Sequence, residues 1–237
     1  MTTSNNDEHF ILLGHRGFRG PLENTVPAFR RALRYADGIE FDVRLTGDGR
    51  LVLLHDRLFH VNGLSYCIEE LTYRELIRLH PRGKLVPRLE NALHLHPKVI
   101  NADLKDLNAL VPLINTLEAK DFLDRTVIST DSPEWIKPIV KECPDCRVGL
   151  SITNPKTLFE SLAARVSSIH VPLDLIKYTG LGSFKALLNF YRRRMEVWLW
   201  NYRMNELEWL PRIFPLADAV ISDDPARLKR FLGDRWT

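Results

Sequence analysis

The chain has 237 residues, 45% hydrophobic and 27% charged, and its 33 basic and 30 acidic residues give a formal net charge of +3. This balance is typical of a soluble globular protein and does not favour nucleic acid or an anionic membrane as a partner. Three cysteines are too few for a disulfide framework, and we interpret Cys67, Cys143 and Cys146 as structural residues.

The first residues of the chain are polar, and only four apolar residues follow before charged residues resume. We therefore expect a flexible tail over residues 1–9 and no signal-peptide hydrophobic region. No apolar run is long enough to cross a bilayer, so we expect no transmembrane segment. Together with the few cysteines, these features predict a cytoplasmic protein, and they leave its oligomeric state open.

From residue 10 onward, short apolar runs rich in β-branched residues alternate with amphipathic segments, as in βα units on a parallel sheet. Eight such runs predict an α/β fold, a (β/α)8 TIM barrel, formed by one domain over residues 10–237. A doubly wound open sheet is the alternative, but its glycine-rich phosphate turn follows none of the runs. The predicted strands are Phe10–Leu13, Gly38–Leu45, Val99–Leu104, Thr126–Ser129, Val148–Ile152, Ser168–Pro172, Val197–Trp200 and Ala219–Ser222.

The interval between the second and third predicted strands is the longest. Asp48-Gly49 predicts a turn, so we expect an added strand over Leu51–Leu54 that ends at His55-Asp56. A small insertion follows it, over about residues 57–90. A connection of this length is expected to serve a function or to contain structure of its own.

The functional residues of a (β/α)8 barrel lie at the carboxyl ends of its strands. Several carboxylates of this sequence occur in or at the ends of predicted strands. Glu40 and Asp42 are two residues apart in the second strand, so both side chains point the same way. Two carboxylates inside a barrel repel each other, and a divalent cation that prefers oxygen ligands, Mg2+ or Ca2+, would relieve the repulsion. Asp103 and Lys105 have the same spacing in the third strand. For any single carboxylate, an internal salt bridge is the alternative.

Further polar residues end other predicted strands. His15 and Arg16 end the first strand, His55 ends the added strand, and Trp200 ends the seventh. A metal ion with basic side chains would stabilise the charge on a phosphoryl group. One imidazole would then accept a proton from the nucleophile and the other would donate one to the leaving alkoxide. The expected substrate is therefore a small phosphodiester.

His15, Arg16, Glu40, Asp42 and His55 belong to two motifs in the first quarter of the chain. The first motif comprises His15-Arg16-Gly17, Glu23-Asn24-Thr25 and Phe29, and the second comprises Glu40-Phe41-Asp42-Val43, Thr46-Gly47-Asp48-Gly49 and His55-Asp56. Both motifs resemble those of the glycerophosphodiester phosphodiesterases. Weaker similarity, as in Ala219–Pro225, extends over nearly the whole chain.

The resemblance implies hydrolysis of a glycerophosphodiester to sn-glycerol 3-phosphate and an alcohol, with a divalent metal ion as cofactor. It also implies a (β/α)8 barrel with a small insertion after the added strand. The residues it implies are His15 and His55 as the acid and base, Arg16 and Lys105 as phosphate contacts, Trp200 as a pocket residue, and Glu40, Asp42 and Asp103 as metal ligands.

Three features depart from the family pattern. Asp103 replaces the usual glutamate, Trp200-Asn201-Tyr202-Arg203 replaces the usual Trp-Thr-Val-Asn, and the insertion is short. The short insertion and three aromatic residues expected to be exposed, Phe18, Phe59 and Tyr202, keep open a lysophospholipase D-like or sphingomyelinase D-like activity. A non-catalytic phosphate-binding barrel is a third hypothesis.

Overall fold

A computed structural model describes residues 10–203 and 206–233, so the tail predicted over residues 1–9 lies outside the described residues. Within these ranges the chain forms eleven strands and nine α-helices. The strands are β1 (Ile11–Gly14), β2 (Gly38–Leu45), β3 (Leu51–Leu53), β4 (Leu58–Val61), β5 (Leu64–Cys67), β6 (Val99–Leu104), β7 (Thr126–Thr130), β8 (Arg147–Ser151), β9 (Ser168–Pro172), β10 (Glu196–Trp200) and β11 (Ala219–Ser222). The helices are α1 (Val26–Ala32), α2 (Tyr73–Leu79), α3 (Leu89–Leu93), α4 (Leu110–Ala119), α5 (Ile136–Glu142), α6 (Pro155–Ser161), α7 (Ile176–Arg192), α8 (Glu206–Ile213) and α9 (Pro225–Leu232).

Eight strands form a closed parallel barrel, which confirms the predicted fold. Their order is β1, β2, β6, β7, β8, β9, β10 and β11, and β1 pairs with both β2 and β11. This double pairing excludes an open doubly wound sheet. The added strand is β3, which pairs antiparallel with β2, with Val43 opposite Leu53. The turn between them contains Gly49 at φ 74°, a conformation that favours glycine.

The alternation of side chains along β2 places its carboxylates inside the barrel. Ile39, Phe41 and Val43 are fully buried in the apolar layer that the strands share with the helices. Successive side chains of a strand point to opposite sides, so Glu40 and Asp42 face the barrel interior. The apolar residues of β2 thus fix the direction of its charged ones.

The insertion after β3 has a small core of its own. It contains the hairpin of β4 and β5, followed by α2. Phe59 is buried in this core and stacks on Tyr66, with ring centroids 5.3 Å apart. The expectation that Phe59 is exposed is therefore wrong, because the insertion uses this ring to cover Ile68 and Leu76.

Two other side-chain environments differ from those expected. Phe18 is buried rather than exposed, because the Arg31 guanidinium lies 3.9 Å from its ring centroid and the ring packs against the main core. A disulfide joins Cys143 and Cys146, which are predicted from the sequence to be structural cysteines but not to be paired.

Among the described residues, no helix combines the length and apolar character needed to cross a membrane.

An apolar layer closes the barrel interior, and a histidine packs beside it. Leu13, Val127, Trp198 and Ile221 come from four strands and form this layer. His170 on β9 stacks on the Trp198 ring, with centroids 5.0 Å apart and 5° between the planes. Burial lowers the pKa of His170 to about 4, although the charge of Asp103 opposes this shift. The ring is therefore neutral at neutral pH.

The buried His170 should make the folded state less stable in mild acid. The unfolded chain protonates this ring near its ordinary pKa of 6.5, whereas the folded chain does so only near pH 4, so stability falls as the pH drops through this window. We expect the wild type to lose about 2 kcal/mol more than the variant His170→Gln between pH 7 and pH 5. Urea unfolding at both pH values measures this difference. Equal losses in the two proteins would contradict it, because all other titrating groups are shared.

Candidate active site

A cavity of about 400 Å³ lies at the carboxyl ends of the barrel strands. Every residue that the sequence analysis assigns to the site lines this cavity, although the residues come from strands far apart in the chain. They are His15, Arg16, Glu40, Asp42, His55, Asp103, Lys105 and Trp200. The structure therefore brings the whole predicted set together.

Three carboxylates converge in the cavity. Glu40, Asp42 and Asp103 each offer one oxygen atom, and these three atoms lie within 4.8 Å of one another. Asp42 and Asp103 are direct partners across β2 and β6, which explains why they meet. Hard divalent ions bind oxygen atoms at about 2.0–2.6 Å, so oxygens at these separations fit around one ion.

Positive side chains already lie against Asp42 and Asp103, and Glu40 is the carboxylate that a further cation would stabilise. The Lys105 ammonium lies 2.6 Å from Asp103 Oδ2 and 3.8 Å from Asp42 Oδ1. Burial opposes ionisation of Asp42, but the charges of Lys105 and Arg16 bring its pKa below the usual range. Burial raises the pKa of Glu40 despite the opposing charge of His15, and the charges of Asp42 and Asp103 add to the rise. A further positive charge would therefore stabilise the ionised form of Glu40.

The amide of Asn101 adds another oxygen to this region. Asn101 is opposite Glu40 in the register of β2 and β6, is buried, and lines the cavity. Its Oδ1 atom has no hydrogen-bond partner within the described part of the chain. Because a buried acceptor without a partner is costly, a bound cation or donor would stabilise this group. The oxygen donors present thus fit a divalent metal ion.

The loop after β1 orients the carboxylates through two residues in the left-handed backbone region. Arg16 has φ 49° and Asn24 has φ 55°. The Arg16 N–H donates to Glu40 Oε2 at 2.7 Å, and Asn24 Nδ2 donates to Asp42 Oδ2 at 2.7 Å. The Asp42 N–H in turn donates to Asn24 Oδ1. Asn24 is not among the site residues predicted from the sequence, although its place in the Glu-Asn-Thr motif is a signal for a role.

The Arg16 side chain carries a fixed positive charge at the cavity edge. Its Nη1 donates to Glu23 Oε1 at 2.7 Å, and its Nε lies 3.0 Å from Asp42 Oδ2. Burial opposes the charge, but Asp42, Glu40 and Glu23 together raise the pKa of Arg16. The guanidinium is therefore held in place before any substrate binds.

His15 is buried and is held by Asp223, which follows the last barrel strand. His15 Nδ1 lies 2.5 Å from Asp223 Oδ1, and Nε2 lies 3.9 Å from Glu40 Oε2. An ionised carboxylate only accepts hydrogen bonds, so Nδ1 carries a proton and Nε2 is directed toward the carboxylates. Burial opposes protonation of His15, but the Asp223 hydrogen bond and the Glu40 charge raise its pKa. Asp223 is not among the residues predicted from the sequence, although its position at the carboxyl end of a barrel strand is a signal for a role in the site.

His55 lies at the more exposed rim of the cavity, where its Nδ1 is 2.7 Å from Asp56 Oδ1. The Arg44 side chain holds the backbone of this rim through two hydrogen bonds. Its Nε donates to the His55 carbonyl at 2.9 Å and its Nη1 donates to the Lys105 carbonyl at 3.0 Å. Arg44 is not among the residues predicted from the sequence, and its one signal there is that it shares a strand face with Glu40 and Asp42.

Two aromatic side chains line the opposite wall. Trp200 Nε1 donates to the His170 carbonyl at 3.3 Å, and the Trp200 ring centroid is 6.3 Å from that of His15. The Tyr202 ring centroid lies 4.3 Å from that of Trp200. Tyr202 is 42% exposed, which confirms the expectation for this residue. Burial of part of its ring raises the pKa of Tyr202 to about 12, so its hydroxyl is neutral.

Comparison with known proteins identifies relatives of this chain. A family model described as the glycerophosphoryl diester phosphodiesterase family matches residues 15–160. A curated relative from Caldanaerobacter subterraneus subsp. tengcongensis, named glycerophosphodiester phosphodiesterase, is 30% identical over 160 residues, which are 59% of this chain and 65% of the relative. The matched part of the chain spans 45% to 65% of the length of three such relatives, less than two thirds of each.

Solved structures share the barrel. A glycerophosphodiester phosphodiesterase from Thermotoga maritima is 25% identical, with a TM-score of 0.77 over 94% of this chain and 98% of that chain. A phosphodiesterase from Oleispira antarctica, solved with the product sn-glycerol-3-phosphate, has the same fold at 18% identity, with a TM-score of 0.72 over 92% of this chain and 94% of that chain. Because the family model spans more than half of the chain, the protein belongs to the glycerophosphoryl diester phosphodiesterase family.

Proposed function

We propose that this protein is a metal-dependent hydrolase that converts glycerophosphodiesters to sn-glycerol 3-phosphate and an alcohol. The observation that carries the proposal is the convergence of three carboxylates, from Glu40, Asp42 and Asp103, in a cavity that also contains His15 and Lys105. Family membership supports it, as do the name of the Caldanaerobacter relative and the product bound to the Oleispira phosphodiesterase.

Glu40, Asp42 and Asp103 would hold the divalent cation, Mg2+ or Ca2+. When bound, such an ion supplies positive charge that stabilises the phosphoryl oxygens. Asp103 is one methylene shorter than the usual glutamate, and its carboxylate is held by Ser129 Oγ at 3.1 Å and by the Lys105 ammonium. Both contacts keep this shorter side chain directed toward the other two carboxylates.

The other predicted residues of the cavity either bind the substrate or transfer protons. Arg16 and Lys105 contact the phosphate, and Trp200 lines the substrate pocket. His15 and His55 form the acid and base pair, in which one imidazole accepts a proton from the attacking hydroxyl and the other donates a proton to the leaving alkoxide. Asp223 holds His15 in the tautomer that leaves Nε2 free for this transfer.

One barrel supplies every residue of the proposed site. We therefore propose that residues 10–237 act as a single catalytic domain, and that the molecule it binds is a small phosphodiester substrate. The cytoplasmic location expected from the sequence stays a prediction.

Removal of divalent ions should abolish hydrolysis. Protein stripped with a chelator is given Mg2+, Ca2+ or Mn2+ and incubated with glycerophosphocholine and glycerophosphoethanolamine, and sn-glycerol 3-phosphate is measured. We expect product only after metal is restored. The variants His15→Ala and Glu40→Ala should each lower turnover by roughly a hundredfold or more. Calorimetric metal titration of Glu40→Ala should show weakened binding. Phosphate binding without turnover of either diester would instead favour the non-catalytic hypothesis.

Loss of the Asp223 charge should impair His15, and it also removes the ion pair of Asp223 with Arg19. We expect Asp223→Asn to lower kcat by roughly a hundredfold with little change in KM, because an amide no longer favours the productive tautomer and charge of His15. Asp224→Asn is the matched control, since Asp224 is the adjacent residue and caps α9 through the Arg227 N–H, which asparagine also accepts. An equal fall in both variants would contradict the role of Asp223.

A further inference from the structure

The segment after β10 brings one more polar side chain to the active-site cavity. Asn201 follows Trp200, lines the cavity and has no exposed surface. Its Oδ1 atom has no hydrogen-bond partner among the residues that the structure describes. Because a buried acceptor without a partner is costly, a donor from a bound molecule would stabilise it. Asn201 is also a position at which the chain departs from the family pattern, which has threonine there.

Glu206 fixes the direction of the Asn201 side chain. Asn201 Nδ2 donates to Glu206 Oε2 at 3.1 Å, and the same oxygen accepts the Asp223 N–H at 3.2 Å. Glu206 Oε1 accepts the Ser222 hydroxyl, so both carboxylate oxygens are engaged. Because a backbone N–H only donates, Oε2 is an acceptor, and it is the amide nitrogen of Asn201 that faces it. The amide oxygen is therefore the end of this side chain that remains for the cavity.

The same carboxylate connects Asn201 to the histidine of the site. Asp223 binds Glu206 through its N–H and holds His15 Nδ1 through its side chain. His15, Asp223, Glu206 and Asn201 thus form one continuous chain of hydrogen bonds. An acceptor that is fixed in this way before a ligand binds discriminates strongly against a ligand that lacks the matching donor.

The place of Asn201 in the barrel decides which part of a substrate it reaches. β10 lies opposite β6 in the closed barrel, and Asp103 is on β6. A phosphate held near the carboxylates therefore lies across the cavity from Asn201. A phosphodiester group at neutral pH has only acceptor oxygens, so it is not the partner of Asn201 Oδ1. The group that fits this atom is a hydroxyl at a distance from the phosphate.

We propose that Asn201 Oδ1 accepts a hydrogen bond from the terminal hydroxyl of the glycerol portion of the substrate, on the carbon farthest from the phosphate. This inference rests on the proposed function and names the residue that selects its substrate. A substrate that is acylated at this hydroxyl has no donor there. The inference therefore favours unacylated glycerophosphodiesters over the lysophospholipase D-like alternative.

Two analogues of glycerophosphocholine separate its hydroxyl groups. 2-Hydroxypropyl phosphocholine lacks the terminal hydroxyl, and 3-hydroxypropyl phosphocholine lacks the inner one. Choline release from all three compounds is measured with protein that has been supplied with the divalent ion. We expect the wild-type kcat/KM to be roughly 10- to 100-fold higher for glycerophosphocholine than for the 2-hydroxypropyl analogue, because the analogue leaves a buried acceptor unpaired.

Variants of Asn201 locate the effect. Asn201→Leu should lower the ratio of glycerophosphocholine to 2-hydroxypropyl turnover by about tenfold and leave the ratio to the 3-hydroxypropyl analogue unchanged. Asn201→Val is a second variant with the shape of the threonine usual in the family, and it should act in the same way. Tyr202→Phe is the matched control. It removes a hydroxyl from the same wall, but that hydroxyl already donates to the Thr153 carbonyl, so both ratios should keep their wild-type values.

The outcomes separate the inference from the proposed function. Hydrolysis of glycerophosphocholine and the 2-hydroxypropyl analogue at equal kcat/KM would overturn the inference and leave the proposed function in place. A ratio that is unchanged in both Asn201 variants, or that falls equally in Tyr202→Phe, would also overturn it.

If no diester is hydrolysed, the proposed function fails, and calorimetry with sn-glycerol 3-phosphate and 2-hydroxypropyl phosphate decides the inference. Tighter binding of sn-glycerol 3-phosphate that is lost in Asn201→Leu would support the role of Asn201. Equal affinities, or no binding of either compound, would overturn it.

Discussion

The burial of three carboxylates at one end of a closed barrel is the constraint on which the site depends. Burial raises the pKa of Glu40, and the charges of Asp42 and Asp103 add to the rise, so only a strong scaffold keeps the three carboxylates together. The register between β2 and β6 holds the carboxylates together, because it pairs Asp42 directly with Asp103. The apolar side chains of β2, such as Phe41, prevent the strand from turning its charges outward.

The groups that stabilise these carboxylates come from separate parts of the chain. Lys105 lies on the same strand end as Asp103, whereas Asn24 and the Arg16 N–H come from the loop after β1. Asp223, from the other end of the chain, holds His15 at the same place. The closed barrel makes this possible, because β1 lies between β2 and β11 and brings the first and last segments together. Closure is therefore a requirement of the site as well as a feature of the fold.

The features that depend on local patterns in the sequence were predictable. The spacing of Glu40 and Asp42 within one strand shows their common direction, and the motifs around His15 and His55 mark the loops that carry them. Contacts set by the closed fold were not predictable. Asp223 is 208 residues from His15, and its role depends on the β1–β11 register. Burial of Phe59 depends on packing within the insertion, which a one-dimensional pattern does not specify.

The barrel also separates the residues proposed for chemistry from those proposed for substrate choice. The carboxylates, histidines and phosphate contacts come from β1, β2, β6 and the segment after β3, and Asp223 follows β11. The wall that contains Tyr202 comes from the opposite side of the barrel, after β8, β9 and β10. Tyr202 belongs to the segment that departs from the family pattern. This wall shares no strand with the β2–β6 pair, so the residues around Tyr202 are separate from those that set the geometry of the carboxylates.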